Sequence, residues 1–327
     1  MNGLNPTDVV LITGANGFVG SALTRRLAGA SSYSVRACVR RADWRPPAGV
    51  QSVLAGDLAS NFDWSAALRG VGVVVHTAAR VHVMNDRASD PLEEFRRSNV
   101  EGTLNLARQA SRAGVRRFVF ISSIKVNGES TTPGNPFRAA DIPGPLDPYG
   151  VSKLEAEQKL AAVAGETGIE LSIIRPPLVY GPGVGANFRR MMRWVHSGLP
   201  LPLGAIANRR SLIGIDNLVD LIRLCLNHPA AAGATLLASD DEDVSTPALL
   251  RLLGQALRRP ARLLPVPVAL LKMAGLATGQ TAAVARLCES LEVDISSTRQ
   301  LLGWAPPVAL SEGLTRAAAE FHDETRV

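Results

Sequence analysis

A tyrosine and a lysine stand four residues apart in Tyr149-Gly150-Val151-Ser152-Lys153, at the head of a segment (148–166) whose apolar spacing predicts a helix. That spacing puts both side chains on one helix face. A phenol titrates near about 10, too high to exchange protons at neutral pH unless positive charge nearby stabilises its anion. Lys153 is the residue to supply that charge. Ser123, at the end of an apolar strand-like run (115–122), can offer a hydroxyl to the same substrate oxygen. A Tyr-x-x-x-Lys pair alone also describes two residues on a solvated helix surface. Its order along the chain, after a glycine turn and a strand ending in Ser122-Ser123, makes a proton-transfer site the stronger reading.

The elements that must position these residues begin at Val9–Gly20, VVLITGANGFVG. Four apolar residues run into a glycine turn, and then Ala22, Leu23 and Leu27 recur at helical spacing. Gly14 permits the turn, Gly17 lets backbone approach a pyrophosphate, and Gly20 lets helix and strand pack closely. The helix N-terminus turns free N–H groups toward the anion. The spacing Gly-x-x-Gly-x-x-Gly departs from the common Gly-x-Gly-x-x-Gly and also suits an ordinary turn of an α/β protein. Further strands are predicted at 34–39, 53–57, 71–78, 115–122 and 171–174, with helices at 91–113 and 148–166. Apolar strands alternating with helices predict an α/β fold, a Rossmann-type doubly wound parallel sheet. Ligands of such sheets bind beyond the carboxyl ends of the strands. Residues 1–178 are expected to form this nucleotide-binding domain and 179–327 a smaller, mainly C-terminal substrate lobe, with the chain free to cross back to the sheet. Helices are predicted in the second half at 187–196, 217–227, 246–257 and 310–321.

Composition narrows the function classes. The 327 residues are 46% hydrophobic and 20% charged, which argues against disorder. The net charge of +6 rests almost wholly on arginine, since lysine occurs only at 125, 153, 159 and 272. No Lys/Arg run interleaved with aromatics points to nucleic acid. An anionic small molecule accounts for the excess. Cys38, Cys225 and Cys288 have neither metal-ligand nor disulfide spacing, so no metal is expected and a reducing cytoplasm is the default. The apolar stretch 263–277 is interrupted by Pro265, Pro267 and Lys272; it is too short to span a bilayer and is expected to pack in the core.

In these motifs the chain resembles the extended short-chain dehydrogenase/reductases, the sugar-nucleotide epimerase/dehydratase family. TGANGFVG matches the glycine motif, which implies cofactor contacts from Gly14, Asn16, Gly17, Phe18, Val19 and Gly20. GDL at 56–58 matches the adenine turn, with Asp57 and Leu58 at the base. HTAA at 76–79 matches the segment lining the cofactor through Thr77, Ala78 and Ala79. FVFISS brings Ile121 and the catalytic Ser123, and YGVSK brings Tyr149 and Lys153. RPPLVYGPG at 175–183 carries Pro176 and Val179 past the nicotinamide. In the second half, Asn187 matches an asparagine that bonds the nucleotide diphosphate. Leu201 and Leu203 lie in a segment that holds uracil by backbone groups, and Arg210 matches a diphosphate-binding arginine. Arg286 is a looser second candidate. The resemblance also implies a homodimer formed through the helices of 91–113 and 148–166.

Three activities of the family compete. A 4,6-dehydratase needs Asp-Glu after the catalytic hydroxyl residue, and Ile124-Lys125 stand here instead. A 4-epimerase holds NAD(H) tightly; a 4-ketoreductase exchanges NAD(P)H. The second strand ends Cys38-Val39-Arg40-Arg41, without the carboxylate that NAD sites use for the ribose hydroxyls. Arg40 there favours the 2′-phosphate of NADP(H), with NAD(H) as the alternative. SSIKVNGES, with Asn127 where the family usually has tyrosine, resembles a bacterial polysaccharide-cluster branch. The expectation is therefore NADP(H)-dependent reduction of a UDP-4-keto-6-deoxy-N-acetylhexosamine, for surface polysaccharide such as O-antigen. In that reading Arg80 and Lys125 are candidate contacts to the substrate. The alternatives are a UDP-hexose or UDP-N-acetylhexosamine 4-epimerase with resident NAD and a non-catalytic NADP(H)-binding module. The intact Tyr149 and Lys153 speak against the last.

Overall fold

Buried strands set the frame. In the computed structural model, which describes residues 9–30, 32–56, 58, 61–81 and 90–325, the central strands lose almost all solvent contact. Among the described residues, seven parallel strands form one sheet: β1 (Val9–Thr13), β2 (Ser34–Val39), β3 (Gln51–Leu54), β4 (Val71–His76), β5 (Arg117–Ile121), β6 (Glu170–Arg175) and β9 (Thr235–Leu237). Their spatial order is β3-β2-β1-β4-β5-β6-β9. Side chains alternate between faces along each strand. Val10, Ile12, Val73, Val75, Val119 and Ile121 face one core. Leu11, Val74, Phe118 and Phe120 face the other. Helix α1 (Phe18–Ala28) covers the first face, packed against α7 (Ile215–Cys225). On the second face lie α2 (Ser65–Leu68), α4 (Gly102–Arg112) and α5 (Pro148–Thr167). The order reverses between β1 and β4, and the glycine turn sits at that switch point.

Strand β3 begins two residues earlier than its apolar run suggests. As the edge strand it is held by its ladder with β2, where Arg36 pairs with Gln51 and the Arg36 guanidinium reaches Gln51 Oε1 at 3.2 and 3.3 Å. Pairing rather than hydrophobicity sets its limits. The single helix expected over 91–113 is instead α3 (Pro91–Phe95), a π-helical turn (Arg96–Glu101) and α4. The extra residue in that turn points Asn99 inward, a common device at functional sites.

A second, two-stranded parallel pairing joins β7 (Leu178–Tyr180) and β8 (Leu212–Gly214). A third core gathers around it from α6 (Ala186–Ser197), α8 (Thr246–Ala256) and α12 (Leu310–Thr325). Phe18 of α1 packs against both this core and the sheet core. The chain returns to the large sheet at β9, seated beside β6.

A further element departs from expectation. The stretch 263–277 is not a core helix. Its C-terminal part is α9 (Val268–Ala277), in which Gly275 is the only buried residue. That glycine is the contact point with α10 (Thr281–Cys288), where a Cβ would lie 2.8 Å from Val284 Cγ2. Leu270, Met273 and Leu276 of α9 therefore remain outside, while Val268 and Leu271 pack at the edge of the third core. No helix among the described residues is long and apolar enough to cross a membrane.

Candidate active site

The turn after β1 leaves little room for side chains. Gly14 has φ +67°, and a Cβ on it would lie 2.8 Å from the Ala78 backbone. A Cβ on Gly20 would run into the Gly14 carbonyl and stand 2.8 Å from Thr77 Oγ1. Thr77 Oγ1 in turn donates to Thr13 O at 2.6 Å. Close packing of α1 against the ends of β1 and β4 thus depends on glycine. Gly17 caps α1 with extended backbone, and among the described residues no side chain caps it. The first-turn N–H groups, aimed along the helix axis, and the bare cradle fit a dinucleotide pyrophosphate. Asn16 is exposed beside them, with Phe18 and Val19 half-buried. Leu58 packs on α4, where a Cβ on Gly102 would lie 2.7 Å from Leu58 O. Asp57 lies outside the described residues. Arg40 is exposed just beyond β2, and its neighbour Arg41 engages Asp43 at 2.6 Å.

The proton-handling residues are carried by the segment leaving β5 and by the first turns of α5. Lys153 is 2% exposed; its Nζ donates to Ile121 O at 2.8 Å and stands 4.3 Å from the centre of the Phe120 ring. Burial pushes its pKa down to about 7. Tyr149 opens α5 one turn earlier, edge-on to Phe95 at 6.0 Å. Burial first and the Asp147 carboxylate second hold its phenol above the usual value. Ser123, partly exposed, leaves β5 in extended conformation, and its Oγ accepts from Lys125 N at 3.3 Å.

The segment carrying Ser123 and the helix carrying Tyr149 are fastened together. Asp147 caps α5, accepting from Gly150 N at 2.7 Å, and is itself ion-paired to Lys125. Lys125 also reaches Glu129 at 2.9 Å. Rather than extending toward a ligand, its ammonium ties the serine segment to the tyrosine helix. A Cβ on Gly150 would lie 2.9 Å from Lys125 O, so glycine permits the close approach. Behind them, Ile124 N donates to Pro176 O at 3.0 Å.

Two buried polar groups were not singled out from sequence. Ser122 Oγ donates to Glu157, and Glu157 takes a forked pair of bonds from Arg175, Nε at 3.0 Å and Nη2 at 2.5 Å. Arg175 Nη1 reaches Asn127 Oδ1 at 3.0 Å, and Asn127 Nδ2 donates to Arg138 O at 3.0 Å. The unusual Asn127 is thereby part of the floor under Ser123. Asn99 forms the second group: its Oδ1 accepts from Arg80 N at 2.8 Å, and its Nδ2 donates to Arg80 O and Ser152 Oγ. The Arg80 guanidinium lies 5.7 Å from the Phe95 ring centre. Nearby, the fully buried His76 ring spans Thr13 Oγ1 (2.7 Å) and Thr103 Oγ1 (2.9 Å). Burial, with Lys153 adding to it, drives His76 down to about 3, so it is neutral. The sequence signal for these groups is a polar side chain in an apolar pattern.

The second half brings Arg210 and Arg286 together. Arg210 Nη1 donates to Arg286 O at 2.9 Å and to Glu289 O at 3.1 Å, and desolvation lowers its pKa. Asn187 is exposed in the first turn of α6. Leu203 is buried. Leu201 does not offer its backbone to a base: its N–H donates to Arg262 O, and its carbonyl accepts from Leu203 N and Leu264 N, all at 2.8 Å. Val179 is half-buried in β7, and Ala78 flanks the glycine turn just beyond the end of β4, with Ala79 half-buried after it.

Comparisons with known proteins agree with this arrangement. The NAD dependent epimerase/dehydratase family matches residues 10–236. A UDP-glucose 4-epimerase of Vibrio cholerae is 48% identical over 313 residues, covering 95% of each chain. An N-acetyl-alpha-D-glucosaminyl-diphospho-ditrans,octacis-undecaprenol 4-epimerase of Escherichia coli O157:H7 is 28% identical over 326 residues, covering 94% of each. Among solved structures, MoeE5 in complex with UDP-glucose and NAD superposes with a TM-score of 0.76 at 27% identity, covering 97% of this chain and 99% of that one.

Proposed function

We propose that this chain, which belongs to the NAD-dependent epimerase/dehydratase family, inverts carbon 4 of a UDP-linked hexose or N-acetylhexosamine, using a resident NAD. The observation that carries this reading is the 48% identity, over nearly the whole of both chains, to a UDP-glucose 4-epimerase. It displaces the 4-ketoreductase as the leading expectation. When bound, the nicotinamide supplies a hydride acceptor and donor at carbon 4. The remaining steps fall to the protein. Tyr149 takes the proton of the 4-hydroxyl and returns it after the sugar has turned over. Its phenol is held high by burial and Asp147, so it is a proton donor at rest. It becomes a base only where added positive charge offsets that environment. Lys153, poised at about 7, supplies part of that charge, and Ser123 orients the oxygen. Thr77 and the glycine turn fix the dinucleotide, Arg210 and Arg286 receive the diphosphate, and residues 179–327 form the sugar-nucleotide lobe. A homodimer through the helical segments 91–113 and 148–166 remains part of the proposal.

A second reading is favoured by Arg40. Its exposed place just after β2, where a 2′-phosphate would lie, suits an NADPH-dependent 4-ketoreductase. The two are separated by incubating the protein, without added cofactor, with UDP-glucose and with UDP-N-acetylglucosamine. Formation of the carbon-4 epimer supports the epimerase. NADPH oxidation on a UDP-4-keto-6-deoxy-N-acetylhexosamine, with no epimer formed from the other sugars, overturns it.

A further inference from the structure

Helix α9 is apolar and uncovered on one face. Leu270, Met273 and Leu276 recur every three residues along it and are 53%, 66% and 75% exposed. Leu199 and Leu264, also exposed, flank the pairing of Leu201 with Leu263 that leads into this helix. Only the opposite side of the α9–α10 hairpin meets the protein, through Val268, Leu271, Leu287 and Cys288. Scattered exposed apolar side chains need no explanation, but two leucines and a methionine on one face of one helix do.

The charge around this face is one-sided. From Val244 to Cys288, 45 consecutive residues contain no Asp or Glu, while Arg251, Arg258, Arg259, Arg262, Lys272 and Arg286 supply six positive charges. Lys272 lies within α9, and Arg258, Arg259, Arg262 and Arg286 are exposed on either side of it. An apolar face bordered mainly by basic residues, with Glu289 only at the C-terminal end of α10, matches the interface of an anionic bilayer, where apolar side chains enter the acyl boundary and cations remain among the headgroups. A protein partner would more commonly meet mixed charge at the rim.

We propose that the α9–α10 hairpin docks this protein on anionic phospholipid membranes through Leu270, Met273 and Leu276. The helix lies in the plane of the interface rather than across it, since ten residues span about 15 Å, roughly half a hydrocarbon core. Arg286, which stands beside Arg210, belongs to the same hairpin, so docking sets that arginine pair near headgroup level.

The test is co-sedimentation of the full chain with vesicles of phosphatidylglycerol and phosphatidylcholine, beside vesicles of phosphatidylcholine alone. Binding to the anionic vesicles is expected, at least about tenfold weaker for Leu270→Ser/Met273→Ser/Leu276→Ser and weakened by Arg262→Glu/Lys272→Glu. All substituted side chains are exposed, and an unchanged circular dichroism spectrum and melting temperature establish that both variants fold. Sedimentation velocity is run on the same proteins. Failure to bind, binding unchanged in the serine variant, or equal binding to neutral vesicles overturns the proposal. So does a loss of oligomer in the serine variant, which assigns the face to a second copy of this chain. None of these readouts uses a sugar nucleotide, so they stand apart from the proposed reaction.

Discussion

Lys125 is ion-paired to Asp147, and Asp147 caps the helix whose second residue is Tyr149. The same carboxylate raises the Tyr149 phenol. A lysine two residues beyond Ser123 thus both fastens the serine segment to the tyrosine helix and shields the tyrosine from a neighbouring negative charge.

Removing that shield has a specific consequence. Lys125→Ala leaves Asp147 uncompensated, so the phenol is held still higher and its anion is harder to reach. The expected result is a fall in kcat of about tenfold, little change in KM, and a shift of the rising limb of the pH–rate profile to higher pH. A raised KM with unchanged kcat indicates instead that Lys125 touches the substrate.

Lys153 sets a pH dependence of folding stability. Its folded pKa of about 7 lies below the unfolded value of 10.5, so between these the unfolded chain binds more protons. Stability from this group is complete above the unfolded value and is lost as pH falls toward 7. Cys38 and Cys225, each pushed up to about 12 by burial, pull the other way above about 9, where their unfolded thiols ionise. The readout is therefore the difference between wild type and Lys153→Met in urea unfolding from about pH 7 to 9. Wild type should gain stability on the variant by up to about 1.4 kcal/mol per pH unit. Parallel curves refute the assigned shift.

The Glu157–Arg175 pair is buried, its side chains 5% and 6% exposed. Arg175→Met strands the Glu157 carboxylate with Ser122 and should cost about 3–5 kcal/mol in chemical denaturation. Arg175→Met/Glu157→Leu should recover most of that loss, because no uncompensated charge remains. A small effect of the single change contradicts a tightly held pair.

Much of this architecture was legible in the residues. The runs at Val9, Ser34, Val71, Val115 and Leu171 report strands because a parallel sheet covered on both faces needs continuous apolar side chains. Gly14 and Gly20 were legible because the turn leaves no space for a Cβ. Strands β7, β8 and β9 were not, since three residues carry no period. The π-helical turn at Arg96–Glu101 was hidden by an unbroken helical pattern, and it determines where Asn99 points. Lys125 read as a candidate substrate contact because Asp147, unlike Glu129 four residues on, reaches it only through the fold. Helix α9 read as core from its hydrophobicity alone, whereas Gly275 directs only one edge of it to the protein.

The proposed reaction removes hydrogen from carbon 4 and returns the same hydrogen to the other face. UDP-glucose carrying deuterium at carbon 4, incubated with the protein and no added cofactor, reads that step directly by NMR. The account predicts a carbon-4 epimer that retains its deuterium, and no epimer at a comparable rate from Tyr149→Phe. Deuterium washed out into solvent, or undiminished turnover by Tyr149→Phe, would contradict it.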